Sequence, residues 1–233
     1  MLKPGSAFRG PEPTHIYKGE FVNGVKKGFG QFINSDFDAF YMGEVDNLPN
    51  GFGVVNTKEY FHVGFFKDGK FDGEGLHYNY HTEEGQYGTF KNNELMDGDH
   101  LTLTSDYADK ELALCHVIDE KYDYKGICRN GVPGGLGYWV WDGEFGLYPS
   151  WGEYEIVDGV LNNHGFGMEY IHAEEEDYFY IGYWGANSPA GQGLLNDYLH
   201  QKEQFLEISA TTTLSLTERN MPLTPKNSSR AQF

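Results

Sequence analysis

Two histidine patterns are the first candidates for chemistry in this chain. His77 and His81 are four residues apart, which on a strand places both side chains on one face. A metal pair of this kind needs further ligands, and no carboxylate stands at a fixed offset from the two histidines, so a polar hairpin surface is the competing interpretation. Cys115 and His116 are adjacent and point to opposite faces of a strand, which argues against a thiolate dyad.

Acidic residues are the second candidates. The run Glu174, Glu175, Glu176 and Asp177 could bind Ca²⁺, but it lacks the alternating Asp/Asn residues and the glycine of a Ca²⁺ loop, so we interpret it as a solvated loop. The sequence contains neither a G-x-x-x-x-G-K-[ST] phosphate loop nor a G-x-S-x-G elbow. Residues 31–210 hold 32 carboxylates, so pairs at a glycosidase distance arise by chance. We therefore predict no catalytic residues, no metal site, no cofactor and no enzymatic activity.

The net charge of −18 is unevenly distributed along the chain. Residues 1–30 carry +3 and residues 211–233 carry +2, which leaves −23 on residues 31–210. A surface this acidic repels phosphate backbones and anionic lipid headgroups, so it disfavours nucleic acid and membranes as partners. It favours basic protein partners, or it serves solubility alone.

The cysteine count and the length of the apolar runs bear on the cellular compartment of the protein. Cys115 and Cys128 are too few for a disulfide framework or a zinc site, which indicates a reducing environment. No apolar run approaches the ~20 residues that span a bilayer. The first residues, Met1 to Ser6, lack the apolar core of a signal peptide. We expect a soluble, cytoplasmic protein.

A regular spacing of glycines organises the chain. From a first glycine, further glycines follow at steps of five, nine and eleven residues. Three copies are complete, and a fourth has Asn187 at its second position; their glycines are Gly19, Gly24, Gly28 and Gly30, then Gly64, Gly69, Gly73 and Gly75, then Gly126, Gly131, Gly135 and Gly137, then Gly182, Gly191 and Gly193. Looser copies begin at Gly43, Gly88 and Gly152.

Each copy is predicted to form a β-hairpin. Tyr17, Gly19 and Phe21 alternate with charged residues, which is the period of a strand. Dipeptides that favour a tight turn with positive φ at both central residues fall at the second glycine: Asn23-Gly24, Asp68-Gly69 and Asn130-Gly131. Gly28 and Gly30 share one face of the returning strand, where the missing side chains leave a slot for aromatic rings.

The repeat boundaries divide the chain into consecutive segments: an extended leader (1–14), hairpins one to four (15–103), an insert (104–122), hairpins five to seven (123–198), a closing element (199–217) and a flexible tail (218–233). Within the insert, the sequence from Ser105 favours a short helix, although Leu112 to Ile118 could equally form a degenerate strand. Residues 206–217 alternate like a half-buried strand, and a short helix over residues 196–205 is the competing interpretation.

The segment Tyr17-Lys-Gly-Glu-Phe-Val-Asn-Gly-Val-Lys-Lys-Gly-Phe-Gly resembles a MORN repeat, the membrane occupation and recognition nexus motif. The resemblance extends from Tyr17 to Gly193. It implies an all-β fold: an elongated single-layer antiparallel sheet of about seven hairpins, with a short irregular or helical insert and a C-terminal closing strand. The chain departs from the family pattern at four positions in its middle hairpins: Leu48, Thr89, Asn93 and Ile127.

The same resemblance implies a non-catalytic scaffold within a cytoskeletal, ciliary or other large assembly. The alternatives are a phospholipid-binding MORN module and an enzyme with an unrecognised site. Because 38 aromatic residues exceed what a one-layer sheet can bury, we predict an exposed aromatic face that binds other proteins. Its residues are Tyr17, Phe21, Tyr41, Phe66, Tyr87, Phe90, Tyr124, Tyr154, Tyr180 and Trp184.

Two points about this face and its partners stay open at the level of the sequence. The rings could instead stack on the paired glycines, which would leave no aromatic surface for a partner. The predicted partners are other proteins, basic ones in particular, and homo-oligomers that form through the sheet edges. The basic leader (Lys3, Arg9) and tail (Lys226, Arg230) are predicted to reach neighbouring subunits.

Overall fold

The protein is described here by a computed structural model that covers residues 15–34, 39–118, 122–143, 146–157, 160–172, 177–185, 188–197 and 202–208. All regular elements in these ranges are strands. They are β1 (His15–Val22), β2 (Val25–Asn34), β3 (Ala39–Asp46), β4 (Leu48–Asn56), β5 (Tyr60–Lys67), β6 (Lys70–Asn79), β7 (Glu84–Lys91), β8 (Glu94–Thr104), β9 (Leu112–Ile118), β10 (Tyr122–Arg129), β11 (Val132–Gly143), β12 (Gly146–Val157), β13 (Val160–His172), β14 (Asp177–Gly185), β15 (Ser188–Asp197) and β16 (Lys202–Ile208). The strands form one open sheet in sequence order. The all-β class and the hairpin array are therefore confirmed.

The hairpin turns form where Asn or Asp occupies the first central position. At Asn23-Gly24 the φ angles are 52° and 78°, and at Asn130-Gly131 they are 49° and 77°. Asn and Asp tolerate positive φ better than other residues with a side chain, so these pairs specify the turn. Asn92 and Asn93, with φ of 52° and 74°, keep the same turn without glycine. The predicted turn chemistry is confirmed at these sites, while Asn187 lies outside the described residues.

The last glycine of a copy accommodates the ring of a tyrosine from the same hairpin. A Cβ atom on Gly137 would lie 2.8 Å from Cε2 of Tyr124, closer than side chains pack. The same contact joins Tyr17 to Gly30, Tyr41 to Gly53 and Tyr180 to Gly193. The slot hypothesis is thus confirmed for the last glycine of a pair, and its ring comes from the same hairpin; at Gly28 a Cβ atom would meet the Glu20 carboxylate instead of a ring. Gly135 differs, because its neighbour is the aliphatic Ile127 at 3.3 Å.

Each of these tyrosines also fixes the backbone of its own strand. The hydroxyl donates to the carbonyl oxygen three residues further on: Tyr17 to Glu20 at 3.1 Å, Tyr41 to Glu44 at 2.6 Å, Tyr124 to Ile127 at 2.9 Å and Tyr180 to Tyr183 at 3.1 Å. The strand register shifts at this point in all four hairpins. A repeated ring, glycine and carbonyl contact therefore fixes the local bulge in each copy.

In its described residues 104–118, the insert contains a strand and no helix. Leu112–Ile118 forms β9, so the strand interpretation is confirmed and the helical one is wrong. β9 pairs along its length with β10, but its ladder with β8 is parallel and joins Leu103 with Leu114 and Thr104 with Cys115. Residues 105–111 have no regular structure and connect the two strands. This short parallel ladder is the weakest junction in the described sheet.

The sheet curves so that its two halves face each other. Rings from the first half meet rings from the second: Phe29 and Phe166 at 5.9 Å, Phe40 and Trp151 at 5.3 Å, Phe61 and Tyr138 at 6.3 Å between centroids. Buried residues of both halves form one cluster on this inner face, including Val54, Val63, Leu136 and Ile181. The sequence predicts one open sheet but not this contact between its halves.

The outer face carries two further clusters. In the first half, Tyr41, Phe66, Phe71 and Phe90 are buried among neighbouring rings. In the second half, Tyr124 and Tyr154 pack with Cys115 and Cys128. The two cysteines form a disulfide with their Cα atoms 5.7 Å apart, so their small number no longer indicates a reducing environment.

The end of the array is a strand. β16 (Lys202–Ile208) pairs with β15, which excludes the alternative helix for residues 202–205. Residues 209–217 of the predicted closing strand, and the leader and tail with their basic residues, lie outside the described residues.

Candidate binding site on the outer face

The predicted aromatic binding face is not exposed. Of its ten residues, Phe21 is exposed at 58% and Tyr17 is half-buried, while the other eight are buried: Tyr41, Phe66, Tyr87, Phe90, Tyr124, Tyr154, Tyr180 and Trp184. The prediction of exposure is therefore wrong for these eight. The physical reason is that the rings fill the glycine slots and stack on one another, as in the edge contact of Tyr41 with Phe66 at 5.1 Å.

Tyr87 is buried for a different reason. Its hydroxyl donates to Glu74 Oε1 at 2.7 Å and accepts from Arg129 Nη2 at 2.6 Å, while the guanidinium lies 5.4 Å from the ring centre. This contact joins β7 to β10 across the short β8–β9 junction. Tyr87 thus holds the two halves together and is not available to a partner.

A row of four polar side chains crosses the outer face next to the first aromatic cluster. The strand register places His62 opposite His77, His77 opposite Gln86 and Gln86 opposite His100, across β5 to β8. Cross-strand neighbours on one face lie close enough to interact. The sequence analysis considered His77 together with His81, but His81 lies exposed in the turn after β6.

His62 occupies the position that tyrosine has in the copies beginning at Gly19, Gly43, Gly126 and Gly182. It stands two residues before Gly64, and its ring lies over Gly75 as the tyrosine rings lie over their glycines. The ring stacks on Phe71 at 3.7 Å, and neither ring nitrogen has a hydrogen-bond partner among the described residues. Burial lowers the pKa of His62 well below its ordinary value, and His77 lowers it further. His62 is therefore neutral at pH 7.

A cavity of about 620 Å³ opens on the outer face beside this row. Phe71 and Phe90 are its buried aromatic floor, and Tyr60 and His77 are half-buried at its side. The remaining lining residues are Glu59, Asn79, Thr82, Glu84, Gly85, Gln86, Asn93, His100, Leu101 and Thr102. We call this cavity the outer pocket.

The electrostatics of the outer pocket are acidic. Glu59 and Glu84 are exposed at its border, and no lysine or arginine is among the described lining residues. Burial lowers the pKa of His77 to about 4, so this imidazole adds no positive charge at neutral pH. Aromatic faces beside carboxylates attract ammonium and guanidinium groups.

The other candidates for chemistry do not form sites in the described part of the chain. Cys115 lies in the disulfide and so cannot act as a thiolate beside His116, whose imidazole is paired with Asp123 at 2.8 Å. Across the described ranges, no group of three His, Cys, Asp or Glu side chains could hold a metal ion. Glu174, Glu175 and Glu176 lie outside the described residues. The same ranges contain no helix long and apolar enough to cross a membrane.

We compared the chain with known proteins by sequence. No protein-family model matches it. A search of curated proteins gave no match either.

Sequence reasoning did not find the outer pocket. One signal was present, because His62 replaces the tyrosine that stands two residues before Gly19, Gly43, Gly126 and Gly182, as Gln86 and Ser150 do before Gly88 and Gly152. The cross-strand row could not be found this way, since it depends on the register of four strands and on the loops between them.

Proposed function

We propose that this protein is a non-catalytic, MORN-like repeat scaffold that binds a basic segment of another protein at the outer pocket. One observation carries the proposal: aromatic rings and two glutamates border the same cavity, and no lysine or arginine is among its described lining residues. The proposal keeps protein binding through aromatic residues but moves the contact to the half-buried ring of Tyr60, above the buried floor of Phe71 and Phe90.

The energetics favour a cationic side chain as ligand. An ammonium or guanidinium group over an aromatic ring contributes about 0.5–2 kcal/mol, and more as it is desolvated. Glu59 and Glu84 supply the negative charge that such a group requires, while neutral His77 does not oppose it. The charge of −23 on residues 31–210 raises the association rate of a basic partner.

Two further parts of the proposal depend on the resemblance to MORN repeats. The resemblance extends the role to a scaffold within a cytoskeletal or ciliary assembly. It also includes phospholipid binding as an alternative, which the acidic charge disfavours because anionic headgroups are repelled.

A peptide titration tests the proposal. Calorimetry would measure the affinity of an arginine-rich peptide for the wild type, for Glu59→Gln/Glu84→Gln, and for the control Asp106→Asn/Asp109→Asn in the loop before β9. Both variants remove two exposed negative charges. We expect the pocket variant to bind at least about fivefold more weakly, which corresponds to about 1 kcal/mol, and the control to stay within about twofold. Equal weakening in both variants would show that the peptide responds to overall charge, and would overturn the pocket.

A further inference from the structure

We propose that the outward edge of β8, from Glu94 to Thr102, accepts an extended basic segment of a partner protein as an added β-strand. This inference rests on the proposed function, since it specifies how a basic segment would approach the outer pocket.

The backbone of β8 is half-paired. On one side it pairs with β7 from Glu94 to Thr102. On the other side its ladder with β9 is confined to Leu103 and Thr104, so no described strand pairs with the preceding nine residues. Unpaired strand edges of this length bind other extended chains by main-chain hydrogen bonds.

The free amides can be assigned from the register. The Leu103 amide donates to the Glu83 carbonyl oxygen at 2.8 Å, toward the β7 side. Since hydrogen-bonding direction alternates along an antiparallel strand, the amides of Gly98, His100 and Thr102 point away from β7. These are the groups that an added strand would engage.

The space beside this edge is open. A cleft of about 400 Å³ lies where β8 and β9 separate, between the end of β8 and Lys110 with Leu112 to Leu114. Met96, Gly98 and His100 are exposed. The end of the connecting loop is held by the turn after β10, where the Asn130 amide donates to the Glu111 carbonyl oxygen at 3.0 Å and the Gly131 amide donates to the Lys110 carbonyl oxygen at 3.2 Å.

The charges of β8 favour a basic segment as the partner of this edge. Glu94, Asp97 and Asp99 are exposed, and the strand contains no lysine, arginine or proline. Natural edges are often protected by lysine, proline or a β-bulge; this edge has neither lysine nor proline, and its one register shift lies between Leu95 and Asp97, near its start. A second copy of the chain would bring acidic side chains against acidic side chains, whereas a basic segment would be complementary.

The edge is continuous with the outer pocket. His100, Leu101 and Thr102 belong both to the pocket lining and to the cleft. A strand added to β8 would extend the row that runs from His62 to His100, and a long basic side chain on its outer face would reach Glu84. One segment can thus use the edge for backbone pairing and the pocket for a side chain.

The test uses three peptides of about nine residues that alternate lysine with valine or threonine. One peptide is unmodified. Each of the other two carries N-methyl groups on every second residue, and the two differ in which set of alternate amides is methylated. All three have the same charge. Affinities for the intact chain are measured by calorimetry, and amide hydrogen exchange is followed at Gly98, His100 and Thr102.

Strand addition predicts that one methylated peptide binds at least about tenfold more weakly than the parent while the other binds like it. It also predicts about tenfold slower exchange at the three amides with the parent peptide. If both methylated peptides match the parent and exchange is unchanged, strand addition is overturned and the proposed function stands. If the unmodified peptide fails to bind while the arginine-rich peptide binds at the pocket, strand addition is again overturned and the proposed function again stands.

Two other outcomes also count against the inference. If neither peptide class binds, both proposals are overturned. If the chain alone dimerises and protects the same amides, a second copy occupies the edge, and the proposed basic occupant is wrong.

Discussion

At the residue scale, the tyrosine in each glycine slot serves both packing and backbone geometry. Tyr41 shows both functions, because its ring lies over Gly53 while its hydroxyl donates to the Glu44 carbonyl oxygen at 2.6 Å. His62 keeps the ring but lacks a hydrogen-bond partner for either nitrogen among the described residues. At this position His62 therefore lacks the hydrogen bond that Tyr17, Tyr41, Tyr124 and Tyr180 make in their hairpins.

Replacing His62 with tyrosine is expected to stabilise the protein by about 1 kcal/mol. The change would remove two buried polar atoms without partners and place a hydroxyl near the Phe65 carbonyl oxygen, as in the other slots. Urea unfolding measures the effect. The matched control is Tyr41→Phe, which should lose about 1 kcal/mol by deleting the corresponding hydrogen bond. A destabilised His62→Tyr would show that the slot at β5 has a different shape.

The buried histidines His62 and His77 predict that the stability of the fold depends on pH. The folded-state pKa values of His62 and His77 are lowered, so the unfolded chain binds more protons below about pH 6.5, and stability falls as the pH decreases toward 4. The raised pKa values of Glu44 and Glu153, caused chiefly by burial, act in the opposite sense. The stability gain of His62→Tyr over wild type should thus be larger at pH 5 than at pH 7.5. An equal stability gain at pH 5 and pH 7.5 would contradict a neutral His62.

At the element scale, the hairpins were predictable because turn chemistry and glycine spacing are local. Asn23-Gly24 and Asn130-Gly131 specify their turns without help from distant residues. β9 was ambiguous because Leu112–Ile118 has no paired glycine, and its strand is formed by pairing with β10. The parallel β8–β9 ladder and the cleft beside it depend on tertiary contacts that no local pattern encodes.

Replacing Gly137 with valine tests the slot within a hairpin. The added side chain would overlap the Tyr124 ring, at a cost of about 1–3 kcal/mol from overpacking. Gly134→Val in the same strand is the control, because the nearest atom to its Cβ would be the Tyr154 carbonyl oxygen at 3.9 Å. Equal melting temperatures for the two variants would remove the steric argument.

At the scale of the whole molecule, the two halves of the sheet bury a common inner face. Phe166 shows the contact most clearly, since its ring lies 4.8 Å from Phe52 and 5.9 Å from Phe29. A hydrogen bond from the Tyr183 hydroxyl to Glu44 Oε1 at 3.3 Å joins β14 to β3 as well. The 38 aromatic residues suggested an exposed face because the sequence alone does not show that the sheet curves onto itself.

Truncating Phe166 to alanine should cost about 3–5 kcal/mol, the range for a buried aromatic residue in a packed core. The reason is the loss of contacts with the opposite half. Small-angle scattering on the folded protein supplies the second measurement, since a doubled sheet gives a smaller radius of gyration than an extended one of the same strands. Tyr183→Phe, which loses a single exposed bond, is the mild control. A cost below about 1 kcal/mol with an extended scattering profile would contradict the facing halves.

The central claim is that a basic segment binds at the outer pocket, and amide chemical shifts measured during a titration test it most directly. An arginine-rich peptide added to ¹⁵N-labelled protein should shift resonances of Tyr60, His77, Gln86 and His100, with effects centred on β5 to β8. Shifts centred on the outer face of β10 to β13, or spread evenly over the acidic surface, would contradict the claim.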